Sequence, residues 1–275
     1  MASAVARTVF FLETPRGRRF CVATGPADAP LGAALYFPPF AEEMNKSRRM
    51  AALAAQALAA RGWLVLQPDP GGCGDSEGDF GDASWSGWIE DMESAWRWLI
   101  GRAPGRRLLW TLRAGSLLAA AWLRESEHRP DLLLWQPVFD GGQHLNQFLR
   151  LELMRSLLAE TGAHTAMASL RARLDNGERV EIAGYTLAPE LAKGLAAARL
   201  AIPAGYTGRI DMIELGREAG PPSPALAARR EAFAASGARA DACKIAGAAF
   251  WQTQEITEVP ALIEKTLAVL GDARP

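Results

Sequence analysis

The 275-residue chain contains few cysteines, and this scarcity bounds both its scaffold and its location. The three cysteines, Cys21, Cys73 and Cys243, are far apart and odd in number. This pattern excludes a disulfide framework and favours a reducing compartment, so we predict a cytoplasmic protein. A free cysteine usually packs as a small apolar side chain, and we expect buried structural thiols at all three positions.

The chain also lacks an excess of charge and any long apolar run. Its 30 Lys and Arg against 31 Asp and Glu give a net charge of -1, which provides no electrostatic attraction for nucleic acid or an anionic membrane. No apolar run approaches the roughly 20 residues needed to cross a bilayer. Residues 1–14 also lack the basic-then-apolar order of a signal peptide. We therefore predict no nucleic-acid partner and no membrane span.

The chain does contain enough apolar residues for a sizeable core. The hydrophobic fraction is 49% and the mean hydropathy is -0.03. This length suits one large α/β domain with an inserted subdomain, or two small domains. Strand and helix patterns alternate in two blocks, which is typical of a mostly parallel sheet with helices on both faces. The predicted strands are Thr8–Thr14, Arg19–Ala23, Gly32–Phe37, Trp63–Gln67, Arg107–Leu112, Leu132–Val138, Ile210–Leu215 and Ala240–Ile245.

The alternation is interrupted in the middle of the chain. Residues 143–202 contain two or three helical stretches, of which Leu145–Ala159 is the clearest, and little strand. The interruption follows the carboxyl end of a strand, where ligands bind in open α/β sheets. We therefore predict an α/β core in residues 1–140 and 206–275, with a helical cap or lid in residues 141–205.

A glycine-rich loop follows the predicted strand Trp63–Gln67. Asp69 and the run Gly72–Gly78 match the pattern D-x-x-G-x-G-x-S-x-G, in which glycines allow backbone angles that other residues avoid. An ordinary glycine-rich turn is the alternative interpretation. With the order of elements, this loop resembles the α/β-hydrolase superfamily, and the resemblance implies that the loop lies beside an active site without being catalytic.

Four further segments carry a narrower resemblance. Phe37–Arg49, Leu112–Gly115, Trp135–Arg150 and Phe250–Ile256 are similar to a family called exosortase A system-associated hydrolase 2. That family is encoded among exopolysaccharide and protein-sorting genes of Gram-negative bacteria. The resemblance implies an α/β-hydrolase-type sheet and, nominally, an acyl or ester substrate.

The nucleophile position of this superfamily holds an arginine. Leu108–Gly115 is typical of a buried strand, a tight turn and a helix start, where serine hydrolases have G-x-S-x-G. Arg113 stands at the centre of that turn, and a protonated guanidinium has no lone pair with which to attack a carbonyl. Ser116 lies three residues later, and we expect its side chain to point away from the turn.

The other two members of the catalytic triad are also in question. The acid candidates are Glu218 and Asp140, and either can instead be a solvated or helix-capping carboxylate. The loop after the last predicted strand, Ala246–Gln252, contains no histidine to accept and return a proton. The three histidines lie elsewhere: we expect His128 to be solvated, His164 to lie in the cap and His144 to hang over the pocket.

Parts of an anion-binding pocket nevertheless remain. The Arg113 guanidinium can hold a carboxylate, phosphate or sulfate through two donors, and the amides of Ala114 and Gly115 add partial positive charge. In the loop after Gly32–Phe37, Phe40 and Ala41 carry backbone donors that a proline would lack. Alternatively, Arg113 is neutralised inside the protein by Glu42, Glu43, Asp140 or Glu218.

Two functional hypotheses follow, one catalytic and one not. In the first, a carboxylate such as Asp140 and a water replace the serine; in the second, the chain is a pseudoenzyme that binds an anion or a glycan. We expect a small-molecule, glycan or acyl ligand of anionic character, no cofactor and no metal. A partner protein that completes the site is a third possibility. The candidate catalytic residues are Arg113, Asp140 and Glu218, and the candidate binding residues are Phe40, Ala41, Glu42, Ala114, His144, Trp251 and Gln252.

Overall fold

The computed structural model describes residues 5–26, 30–158 and 167–271, which form an eight-stranded sheet with helices on both faces. The sheet has the order β1-β2-β4-β3-β5-β6-β9-β10. Within this sheet, β2 runs opposite to the other seven strands, so the prediction of a mostly parallel α/β sheet is confirmed. The strands are β1 Val5–Thr14, β2 Gly17–Pro26, β3 Gly32–Phe37, β4 Trp63–Pro68, β5 Arg106–Leu112, β6 Asp131–Trp135, β7 Val180–Ile182, β8 Tyr185–Leu187, β9 Arg209–Gly216 and β10 Arg239–Ala246.

Each face of the sheet carries its own hydrophobic core. Met92 and Trp96 of α2 pack on one face, together with α3, while Met50 and Leu58 of α1 pack on the other with α8. Central strands such as β3 are buried along their whole length, which is typical of parallel strands covered on both sides. The helices are α1 Glu42–Ala59, α2 Trp85–Ile100, α3 Gly115–Glu125, α4 Gly141–Leu158, α5 Met167–Asp175, α6 Pro189–Ala197, α7 Pro224–Ala235 and α8 Pro260–Leu270. In the described ranges, no helix is both long and apolar enough to cross a bilayer.

Two element boundaries differ from the sequence prediction in ways that shape the site. The spacing of apolar residues predicts a helix over Lys46–Ala60, but helix α1 begins four residues earlier, at Glu42, so Glu42 and Glu43 lie in its first turn. Strand β6 ends at Trp135 rather than Val138, because Gln136 has a φ of 43° and cannot continue an extended strand. Both changes alter what lies at the carboxyl edge of the sheet.

The segment between β6 and β9 contains α4, α5 and α6 together with a small hairpin. The hairpin pairs β7 with β8 and was not predicted, because strands of three residues carry too little periodicity. Helix α6 packs closely on α2: a Cβ added at Gly194 would lie 2.1 Å from the Cβ of Trp85. The division of the chain into a core and a cap stays a prediction, and Ala159 and His164 lie outside the described residues.

Candidate functional site

The turn between β5 and α3 holds Arg113 in an unusual backbone conformation. Arg113 has a φ of 53°, a region that residues with a side chain rarely adopt. Its amide donates to the Trp135 carbonyl at 3.0 Å, which anchors the turn to β6. The next helix starts close to β3, since a Cβ at Gly115 would lie 2.2 Å from the Phe37 carbonyl oxygen. The fold therefore forms a sharp elbow at this position with arginine at its centre.

The Arg113 side chain lies against a cavity of about 250 Å³ at the carboxyl edge of the sheet. Its Nε donates to Oε1 of Glu43 at 3.1 Å, and its guanidinium carbon lies 5.5 Å from the centre of the Trp251 ring. Arg113 is thus paired with a carboxylate of its own chain, which is one of the two alternatives that the sequence left open. Phe40, Glu42, His144, Trp251 and Gln252 also line this cavity, together with Lys46, Gln147, Phe148 and Leu151.

Two carboxyl groups from α1 border the cavity in a poorly hydrated environment. Burial raises the pKa of Glu43 to about 7, although Arg113 opposes the shift, and burial also raises the pKa of Glu42. The Oε2 atom of each is buried and has no hydrogen-bond partner among the residues that the structure describes. The cavity wall therefore contains two unsatisfied acceptor atoms.

The His144 imidazole on α4 is buried and uncharged. Burial and the nearby Arg113 lower its pKa to about 4, while a hydrogen bond with Gln147 opposes the shift. Its Nδ1 has no hydrogen-bond partner in the described part of the chain. The imidazole therefore presents an unsatisfied nitrogen at the cavity and no positive charge.

Ser116, three residues after Arg113, has a structural role. Ser116 is fully buried, and its Oγ donates toward the carbonyls of Arg113 at 2.8 Å and Val138 at 3.0 Å. The same oxygen accepts from the Val138 amide at 3.1 Å. Ser116 therefore ties α3 to the segment after β6 and does not line the cavity.

The two acid candidates lie outside the cavity. Asp140 accepts from the Gln143 amide at 2.9 Å, as a helix-capping residue does, and pairs with Arg199 at 3.2 Å. Glu218 is exposed in the segment after β9. Neither carboxylate contacts the Arg113 guanidinium, so the structure does not bring these two candidates together with the elbow.

Backbone donors are present on the opposite side of Phe40. Ala41 has a φ of 50° just before α1, and Ala114 follows the elbow. In the described ranges, neither amide donates to a protein acceptor. The adjacent cavity, bordered by Phe40, Ala114 and Cys73, measures only about 10 Å³ and has room for a single water at most. The structure therefore leaves little open space beside Ala114.

The three cysteines, all within the described residues, show no sign of activation as nucleophiles. Cys21 and Cys73 are buried, as predicted, and burial raises the pKa of both thiols. A thiol with a raised pKa is a poor nucleophile at neutral pH. Cys243 is only half-buried, in contrast to the expected full burial. His128 is half-buried rather than solvated, because its ring stacks on Trp122 at 5.5 Å between centroids.

From the sequence, Glu43 is only one of several possible partners of Arg113. Lys46 and Gln147, which line the cavity, were not predicted as site residues. The signal for Glu43 lay in the adjacent acidic residues before an apolar-periodic helix, a position typical of a first helical turn. For Gln147, the signal was its spacing of three residues from His144, which places both on one helix face.

Comparison with known proteins identifies the fold. No protein-family model matches the chain, and no curated protein matches it either. Among solved structures, the chain is similar to Est1E from Butyrivibrio proteoclasticus with bound ferulic acid, at 13% identity and a TM-score of 0.66, over 95% of this chain and 97% of that one. It is also similar to a thermostable carboxyl esterase from Bacillus coagulans, at 13% identity and a TM-score of 0.59, over 98% and 99% of the two chains.

A third similar structure is an α/β serine hydrolase without a lid from Xanthomonas campestris, at 12% identity and a TM-score of 0.58, over 98% of this chain and 97% of that one. The likeness spans nearly the full length in all three cases. The chain therefore has the α/β-hydrolase fold, as predicted, and identities this low carry no statement about its reaction.

Proposed function

We propose that this chain is a ligand-binding protein on the α/β-hydrolase fold, without serine-based hydrolysis. The observation that carries the proposal is the Arg113–Glu43 pair at the elbow. An arginine in that place cannot form an acyl intermediate, and its pairing with Glu43 gives the charge a structural partner. The cavity beside it is lined by both charged and aromatic side chains, which favours binding of a small organic ligand.

The lack of a proton acceptor supports the same proposal. The loop after β10 places buried Phe250 and Trp251 where the superfamily resemblance implies a histidine. The imidazole that lines the cavity, His144, is not hydrogen-bonded to any hydroxyl or thiol in the described residues. Serine hydrolysis needs a nucleophile and a base within hydrogen-bond reach, and the described residues that line the Arg113 cavity include no serine or cysteine to form such a pair.

A fluorophosphonate probe and a panel of short acyl esters test this proposal. We expect the purified chain to remain unlabelled and to hydrolyse no ester faster than the Arg113→Ala variant, while a carboxyl esterase of the same fold reacts under the same conditions. Labelling of a cavity residue, or turnover that disappears with a cavity substitution, would contradict the proposal. A ligand that binds only the folded state raises the melting temperature. We expect this rise to disappear in Arg113→Ala.

A second candidate function is favoured by the Glu43 carboxyl. Its pKa near neutrality and its unpaired Oε2 are properties of a general acid or base, so the cavity is also a candidate site for carboxylate-assisted hydrolysis with water. Turnover of an acyl or deacetylation substrate that is lost in Glu43→Gln and kept in Glu218→Gln would favour this candidate.

The narrower family resemblance adds a cellular setting to the proposal. We propose that the ligand is a compound of exopolysaccharide production and that the protein acts in the cytoplasm. Deletion of the gene should then change the yield or composition of the exported polysaccharide. An unchanged polysaccharide would contradict this setting without affecting the binding proposal.

A further inference from the structure

The unpaired polar atoms of the Arg113 cavity point to the chemistry of its ligand. We infer that the cavity takes a neutral ligand with adjacent hydroxyl groups, such as a single sugar ring or a cyclitol, rather than a simple anion. This inference rests on the proposed binding function and makes it more specific. The inference specifies which hydrogen-bonding groups the ligand must present to Glu42, Glu43 and Arg113.

The charge of the cavity argues against a simple anion. Arg113 already contacts Glu43 at 3.1 Å, and the Glu42 carboxyl also interacts with Arg113 electrostatically. Lys46 at the rim balances the second carboxyl, so the four charged side chains sum to about zero when both glutamates are ionised. When both carboxyl groups are ionised, at a pH above the pKa of Glu43, an anion would place another negative charge beside them, and like charges at short distance in a poorly hydrated site repel strongly.

The hydrogen-bonding inventory favours hydroxyl groups. The Oε2 atoms of Glu42 and Glu43 are buried acceptors without a donor in the described residues, and a simple anion brings no donor to them. A hydroxyl donates one hydrogen bond and accepts others, so it can donate to a carboxylate and accept from the Arg113 guanidinium. In the described chain, Nε is the only Arg113 nitrogen that donates a hydrogen bond, which leaves donors for the ligand.

His144 adds a third unpaired polar atom to the Oε2 atoms of Glu42 and Glu43. Its buried Nδ1 has no partner, and a neutral imidazole nitrogen donates to or accepts from a hydroxyl, depending on the tautomer. The unsatisfied groups thus come from two elements, α1 and α4. Two or more adjacent hydroxyls are needed to reach them together.

The remaining walls suit the carbon–hydrogen faces of a small ring. Phe40 and Phe148 meet edge to face at 5.1 Å between centroids, and Trp251 forms a further aromatic wall under Arg113. A cavity of about 250 Å³ lies below the usual range of roughly 300–1,000 Å³ for larger organic ligands. Its size therefore favours a single ring over an oligomer.

Titration of the full chain with matched neutral and anionic probes tests the inference. The neutral probes are methyl glucopyranoside, methyl mannopyranoside and myo-inositol; the matched probes are glucuronate, acetate and cyclohexanol. We expect saturation-transfer NMR and calorimetry to detect binding of at least one neutral polyol and no binding of acetate or cyclohexanol.

Glu42→Gln and Glu43→Gln should each weaken polyol binding by about tenfold or more, because each removes a charged acceptor. Glu264→Gln is the matched control, since its side chain is exposed on α8 and outside the cavity, and it should bind like the wild type.

The outcomes separate this inference from the proposed function. If Glu43→Gln fails to fold, Glu42→Gln still decides the question, because the Glu42 carboxylate makes no short ion pair with Arg113. Binding of glucuronate or acetate in preference to every polyol would overturn the inference and leave a binding protein. Binding of none of the six probes would also overturn it, whereas covalent labelling by the fluorophosphonate would overturn the proposed function itself.

Discussion

At the scale of single residues, the protonation of Glu43 controls the charge of the cavity. Its carboxyl is buried beside Arg113, and its pKa is about 7 in the folded protein, against an ordinary value of 4.5. The folded state therefore holds a proton that the unfolded state has released at intermediate pH. The free energy of unfolding must fall as the pH rises through this interval.

We expect this loss to appear in the difference between the wild type and Glu43→Gln. From about pH 4.5 to about pH 7, the wild type should lose about 3 kcal/mol of unfolding free energy relative to the variant. Urea denaturation at a series of pH values measures this difference, with Glu218→Gln as the control that should follow the wild type. Parallel curves for wild type and Glu43→Gln would show that Glu43 is ionised in both states.

Ser116 gives a second prediction at this scale. Its hydroxyl is fully buried and bonded to the backbone on two segments, so Ser116→Ala leaves the Val138 amide without one of its acceptors. We expect a loss of about 1–3 kcal/mol in unfolding free energy. Ser94→Ala, which removes an exposed hydroxyl bonded to the Glu90 carbonyl, should change stability by about 0.5 kcal/mol or less. Equal changes in unfolding free energy for the two substitutions would contradict the structural role of Ser116.

How far the sequence predicts the site depends on the distance along the chain between interacting residues. Arg113 at the elbow, and the loop that contains Trp251, were recognisable because each lies in a local pattern. The Arg113–Glu43 contact joins residues 70 positions apart, and four carboxylates were possible partners. Which of them reaches the guanidinium depends on where α1 begins, and this boundary was misplaced by four residues.

At the scale of elements, the contact between α6 and α2 packs the segment between β6 and β9 against the helix layer. The backbone of α6 at Gly194 approaches Trp85 so closely that a methyl group has no room. A glycine inside a helix lowers helix stability, so its presence here reflects packing rather than helix preference. Periodicity predicted helices in this region but could not identify the close contact.

Gly194→Ala should therefore destabilise the protein despite the better helix propensity of alanine. The added Cβ would lie 2.1 Å from the Cβ of Trp85, and we expect a net loss of about 1–3 kcal/mol as α6 moves away. Thermal unfolding followed by circular dichroism measures the effect. Lys193→Ala, an exposed position in the same helix, is the control and should leave the melting temperature almost unchanged. A raised melting temperature in Gly194→Ala would show that the helices separate without cost.

At the scale of the whole molecule, one buried ion pair connects the antiparallel edge of the sheet to the helix layer. Arg19 of β2 lies 2.7 Å from Asp91 of α2, and both side chains are almost fully buried. Asp91 also accepts from the Gly71 amide at 2.8 Å, so the same carboxylate fixes the glycine-rich loop. The order of elements predicted the sheet and its helices, but this link between distant parts of the chain is a tertiary feature.

Asp91→Asn should destabilise the whole fold. The substitution leaves the Arg19 charge buried without its counterion, and breaking a buried pair in this way costs about 3–5 kcal/mol. Glu90→Gln is a matched control, because Glu90 pairs with Arg16 on the surface at 3.8 Å and should contribute about 0.5 kcal/mol or less. Equilibrium denaturation of both variants measures the contrast, and similar midpoints would contradict it.

The left-handed conformation at position 113 has a practical consequence. A backbone in this region stores an energetic penalty of about 1–3 kcal/mol, and the surrounding structure already compensates for it under an arginine. A reactive hydroxyl introduced at this position would start from a backbone that already has the required conformation. Only side chains would have to be changed. The scaffold is thus a natural starting point for the design of new catalysts, because the backbone geometry of the turn is already formed.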